Sequence, residues 1–169
     1  PGHAGSILET SDRIRIPGNE ALAEGARLTR LNALYHPYHD EIDRQTARIS
    51  ALGKTPAIIA VHSFTPEMNG QKRPWHIGVL WNGEGRIALP LIAALRADNP
   101  DLVIGDNEPY SAKDGPEFNN TIAIHALAKN LPSVMVEFRQ DMVATPEGVK
   151  KMAGIFLAAL GKLDASSFS

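Results

Sequence analysis

Glu137 lies inside the apolar run SVMVEF, where a carboxylate is costly to bury unless it is paired or used. Arg139, two residues on, projects to the same side of a strand. Either the two form an internal ion pair, or Glu137 is a general base beside a cation that keeps it ionised. His62 closes another apolar run, Ala57–Val61, and is followed by Ser63 and Thr65. A histidine at a strand end can bind a metal, act as a base, or serve as a hydrogen-bonded structural group. Ser63 has no G-x-S-x-G context, so a serine-hydrolase reading is poor.

Arg73-Pro74-Trp75-His76 places a guanidinium, an indole and an imidazole just before a second apolar run, Ile77–Trp81. Arginine suits planar recognition of a carboxylate; the simpler alternative is a solvated Arg73 with Trp75 as packing. The segment DNEPYS, Asp106–Ser111, sets Asn107 and Tyr110 in a loop that either lines a site or merely turns the chain. His36, His39, Asp40 and Asp43 fall at helical spacing, but Pro37 interrupts them, and a polar helix face is the plainer reading. His3 and His125 stand apart from other such groups.

The elements that must position these groups follow from the hydrophobic pattern. Short apolar runs at 57–62, 77–81, 102–105 and 133–138 read as strands, the first of them buried on both faces. Helical periodicity covers Glu20–Leu52, with a kink or split expected near His36 because of Pro37. Further helices are expected over Ile87–Arg96, Asn119–Lys129 and Thr145–Leu160, the last opened by TPEG. Residues 1–19 read as irregular, 106–116 as a polar loop, and 164–169 as a frayed tail. Strands alternating with helices predict an α/β domain with a mainly parallel sheet, its ligand crevice at strand ends. The 169 residues suit a single domain.

A net charge of −2 supplies no field to draw in nucleic acid or anionic membrane, so neither is an expected partner. No apolar run approaches the ~20 residues of a membrane span, and no signal peptide is visible. Cysteine is absent, so any metal must be held by histidines and carboxylates. A soluble, cytoplasmic protein is the expectation.

With these segments in view, the chain resembles the N-formylglutamate amidohydrolase family. VHSFTPEMNG with RPWHIGVLWN, then GDNEPYS, then VEFRQDM carry the resemblance, with IPGN and YHPYHDEID, from about Arg15 to Leu160. That family is similar to zinc-dependent exopeptidase and aspartoacylase-like hydrolases, which implies a three-layer α/β/α sandwich. It also implies hydrolysis of the linear amide of an N-acyl amino acid, most simply N-formyl-L-glutamate to formate and glutamate, in cytoplasmic histidine catabolism. Under the resemblance His62 is a zinc ligand and Glu137 the proton-transferring glutamate. Arg73, His76, Asn107, Tyr110 and Arg139 would line the substrate pocket. Family members begin with a further stretch bearing an aspartate-histidine-alanine-type motif and, later, an asparagine-arginine pair. Neither precedes Pro1, so the chain is expected to be the C-terminal portion of the fold, with other zinc ligands lying before it. The rival expectations are a non-catalytic binding domain that kept the fold without the metal, and a hydrolase for another N-acyl amino acid.

Overall fold

A computed structural model describes residues 7–83, 85–111 and 120–168. The chain divides into two compact units, Pro1–Lys54 and Thr55–Ser169. In the first, β1 (Thr10–Ser11) and β2 (Ile14–Arg15) make a small antiparallel pair. Asp12 and Arg13 turn the chain between them with φ of 48° and 62°. The segment read as irregular therefore contains a hairpin. Helix α1 (Glu24–Arg30) continues through a π-helical turn, Leu31–Tyr35, into α2 (His36–Ala51). Pro37 has no N–H to donate and its ring crowds the carbonyl four residues back. A widened turn just ahead of it relieves both problems without ending the helix. The expected disturbance is thus present as a π turn, and the helix does not split. Arg30 ties this helix to the IPGN segment by donating to Asn19 Oδ1 at 2.6 Å and to the Gly18 carbonyl at 2.5 Å.

The second unit contains the site. Its strands are β3 (Ile58–Phe64), β4 (Glu67–Met68), β5 (Gln71–Lys72), β6 (Ile77–Leu80), β7 (Ile104–Asp106) and β8 (Ser133–Arg139). Its helices are α3 (Ala88–Asp98), α4 (Asn120–His125) and α5 (Pro146–Leu160). The four apolar runs expected to be strands join one sheet in the order β3-β8-β6-β7. β3 runs parallel to β8 and β6 parallel to β7, while β6 and β8 are antiparallel. The result is a mixed, mainly parallel sheet flanked by helices, the α/β class expected.

Side-chain alternation sorts the sheet into two faces. Ile77, Val79, Ile104, Val134, Val136 and Phe138 form one apolar core with Leu91, Ile92 and Leu95 of α3 and Met152 and Ala159 of α5. Each large side chain buried there contributes roughly 1.5–3 kcal/mol. Thr145 caps α5 by accepting from Gly148 N at 3.1 Å, as the TPEG start suggested. Met135 points the other way, into a small cluster with Leu80, Ala60 and Tyr110, and α4 packs against β3 and β8.

Two expectations are corrected. Among the described residues β3 pairs only with β8 and is an edge strand, so Val61 remains 59% exposed and the run is not buried on both faces. The tail is not frayed over its described residues, because a 3-10 turn, Ala165–Phe168, buries Ser167 and packs Phe168 on the core. Residues 112–116 of the polar loop, the helix start at 119, His3 and Ser169 lie outside the described residues.

Candidate functional site

The parallel register of β3 and β8 places His62 directly beside Glu137, so both side chains leave the same face of the sheet. β6 runs against β8, so the C-terminal ends of β3 and β8 meet the start of β6, where Arg73–His76 arrives. Gly78 of β6 stands opposite Glu137, and Gly105 of β7 stands opposite Gly78. These glycines leave a trough beside the carboxylate. A Cβ on Gly78 would run into the Glu108 carbonyl oxygen, and one on Gly105 would lie 2.8 Å from it. The loop after β7 leaves the far end of the sheet, and the trough lets it fold back over the strands. Glu108–Pro109, joined by a cis peptide, occupies the space that two side chains would otherwise fill.

That return path delivers Tyr110 to Arg73. Arg73 Nη1 donates to the Tyr110 hydroxyl at 2.9 Å and, more weakly, to Thr65 Oγ1 at 3.4 Å. Its guanidinium also stacks 4.7 Å from the Tyr110 ring centroid, and Nη2 meets Met68 Sδ at 2.9 Å. A thioether is a weak acceptor. The half-buried guanidinium therefore has neutral partners, and no carboxylate among the described residues forms an ion pair with it.

Glu137 is 6% exposed, and its Oε2 has no hydrogen-bond partner. Burial raises its carboxyl to about 7, against a smaller opposing pull from the Arg73 charge. The sequence had pointed to Arg139 as the cation that keeps Glu137 ionised. In the structure Arg139 turns elsewhere, pairing with Asp141 at 2.7 Å and donating from Nη1 to the Pro74 carbonyl at 3.2 Å. It staples the Arg73–Trp75 segment in place, and burial wins over the remaining cation at Glu137.

His76 and Asn107 are also engaged in structure. His76 Nδ1 accepts from Val103 N at 2.9 Å, which puts the ring proton of the neutral form on Nε2. Burial, helped by the Arg139 charge, lowers the pKa of this imidazole. Asn107, at φ 56°, donates its N–H to Val79 O at 2.9 Å and accepts from Trp81 N at 3.0 Å. It extends the β6–β7 ladder at the end of β6 remote from Glu137. Of the residues singled out, the fold gathers His62, Glu137, Arg73 and Tyr110; His76, Asn107 and Arg139 support their surroundings. Sequence reasoning passed over Gly78, Gly105 and Asp141. Glycine inside the apolar runs IGVLW and VIG was an available signal of close backbone approach.

Zinc requires three protein ligands even at an open catalytic site. Among the described residues no three histidine, aspartate or glutamate side chains converge in that way. His62 is exposed, makes no hydrogen bond to a described residue and adjoins the orphaned Glu137 oxygen, but two donors do not make a zinc site. The described residues alone therefore do not fit the metal. His36 and His39, in the other unit, make ring contacts to Tyr35.

A mixed, mainly parallel sheet flanked by helices, with a buried carboxylate and a guanidinium at one strand end, defines an α/β domain with a candidate site at its strand ends. The family model for N-formylglutamate amidohydrolase matches residues 2–144, and the chain belongs to that family. Its hydrolase character on amides is a family-level property. The chain is similar to the crystal structure of a gene product from Agrobacterium tumefaciens, with 34% identity and a TM-score of 0.85. That alignment covers 92% of this chain but 60% of the other, so this chain spans less than two thirds of its length. No curated protein matched at the sequence level.

Proposed function

We propose that this domain serves the hydrolysis of an N-acyl amino acid, with N-formyl-L-glutamate as substrate and formate and L-glutamate as products. One observation carries the reading: a buried, partly unbonded Glu137 near an Arg73 that has no carboxylate partner among the described residues. A group that first takes and then gives a proton works best with a pKa near the working pH, and about 7 meets that need. In this scheme Arg73, braced by Tyr110, holds a substrate carboxylate. Glu137 takes a proton as water adds to the formyl carbon and returns it to the amine nitrogen as the C–N bond breaks.

Zinc dependence, kinship with zinc-dependent exopeptidases, and a cytoplasmic role in histidine breakdown are parts of the same proposal. His62 is the residue this chain would contribute as ligand. Among the described residues no helix is long and apolar enough to cross a membrane. The lack of three converging donors among the described residues favours one rival, a domain that binds the substrate without cutting it.

Formate release from N-formyl-L-glutamate separates the two. Glu137→Gln should lower kcat by roughly 10²–10⁴-fold and leave KM within a few-fold. Near-normal kcat in that variant assigns Glu137 a structural role. Where the protein as isolated carries zinc, His62→Ala should lose it; zinc retained in that variant removes His62 from the ligand set.

A further inference from the structure

A cavity of about 430 Å³ opens beside Arg73, lined by Asn69, Gln71, Lys72, Trp75 and Glu108 among others. Neither His62 nor Glu137 lines it, whereas Arg73 both lines it and acts electrostatically on Glu137. Arg73 therefore belongs to the reacting crevice and to this cavity at once. We infer that the cavity is the subsite for an acidic substrate side chain and that Lys72 selects for it. The inference rests on the reading that the amide is cut beside Glu137.

The hairpin β4–β5 builds one wall. Asn69 and Gly70 form its two-residue turn with φ of 54° and 82°, the conformation that tight hairpins demand. Arg73 N closes it by donating to the Pro66 carbonyl at 2.8 Å. Lys72 and Arg73 are thereby held in the lining of the same cavity as consecutive residues. Lys72 faces Glu67 across the hairpin, yet forms no ion pair with it or with any other described residue. Glu108 is the single carboxylate among the described lining residues, where two cations outnumber it, and the amides of Asn69 and Gln71 add neutral donors. A lining of this kind suits a carboxylate and offers little to an aliphatic side chain. The volume exceeds what a formyl group or a lone carboxylate needs, and accommodates an extended side chain with its water. One substrate can then place its amide at Glu137, its α-carboxylate on Arg73 and its side-chain carboxylate at Lys72.

The test is calorimetric binding of N-formyl-L-glutamate and N-formyl-L-glutamine, which share shape and differ in charge, to Glu137→Gln protein. The acid should bind roughly ten- to a hundred-fold more tightly than the amide. Adding Lys72→Met should bring that ratio close to one, whereas adding Glu108→Gln should raise it. Equal binding of the two ligands, no binding of either, or a preference that survives Lys72→Met overturns the subsite. Formate release by the unaltered protein reports separately on the reaction. A Lys72-dependent preference without formate release sustains the subsite and defeats the hydrolytic reading; release without that dependence does the reverse.

Discussion

Glu137→Gln should stabilise the protein at pH 8 relative to its effect at pH 5, although it removes a group proposed to be catalytic. The carboxyl is raised from an ordinary 4.5 to about 7, chiefly by burial. Between those values the folded chain keeps a proton that the unfolded chain has released. Stability therefore falls as pH rises through this window, and the full cost is present above pH 7. At about 1.4 kcal/mol per tenfold change in proton affinity, that cost is ~3 kcal/mol at pH 8 and under ~1 kcal/mol at pH 5. Glutamine has the same shape and no charge, so it escapes the pH-dependent part. Urea unfolding of both proteins at the two pH values, with a chelator present to exclude metal, measures the difference. The variant's stability relative to the unaltered protein should rise by about 2–3 kcal/mol from pH 5 to pH 8. A difference that is flat across that range would mean that Glu137 is not desolvated as the fold suggests, and the case for a tuned proton carrier would fall with it.

Gly78→Ala should destabilise the protein by about 1–3 kcal/mol, since the new methyl meets the backbone carbonyl of Glu108 rather than a movable side chain. Urea unfolding checks this, and an unaltered midpoint would show that the loop is not held in the glycine trough. Arg73→Lys keeps the charge but loses the fork that joins Tyr110, Thr65 and Met68. Its KM for N-formyl-L-glutamate should rise roughly ten- to a hundred-fold with little change in thermal midpoint, and an unchanged KM would remove Arg73 from substrate binding.

The local pattern already contained much of this protein. Four short apolar runs separated by helical periodicity specified strands and helices, because burying one face imposes a period of two or of 3.6 wherever it occurs. Thr145 could be read as a cap from the TPEG sequence alone, since a cap depends on residues within one turn. His62 and Glu137 could each be singled out as a polar group at or inside an apolar run. What local sequence could not supply was strand order. Only the parallel pairing of β3 with β8 puts His62 and Glu137 side by side, and only the edge position of β3 leaves Val61 exposed. The partner of Glu137 was likewise decided in three dimensions. Arg139, two residues away, turns to Asp141 and the Pro74 carbonyl, while Arg73 arrives from another segment. Asn107 and Tyr110 show the same limit within a single loop. Asn107 completes the β6–β7 ladder, whereas Tyr110 is carried back to Arg73 over Gly105 of β7 and Gly78 of the neighbouring β6. Spacing along the chain fixes which groups are available, but long-range packing decides which of them meet, because the nearest charge in sequence is free to find a better solvated partner.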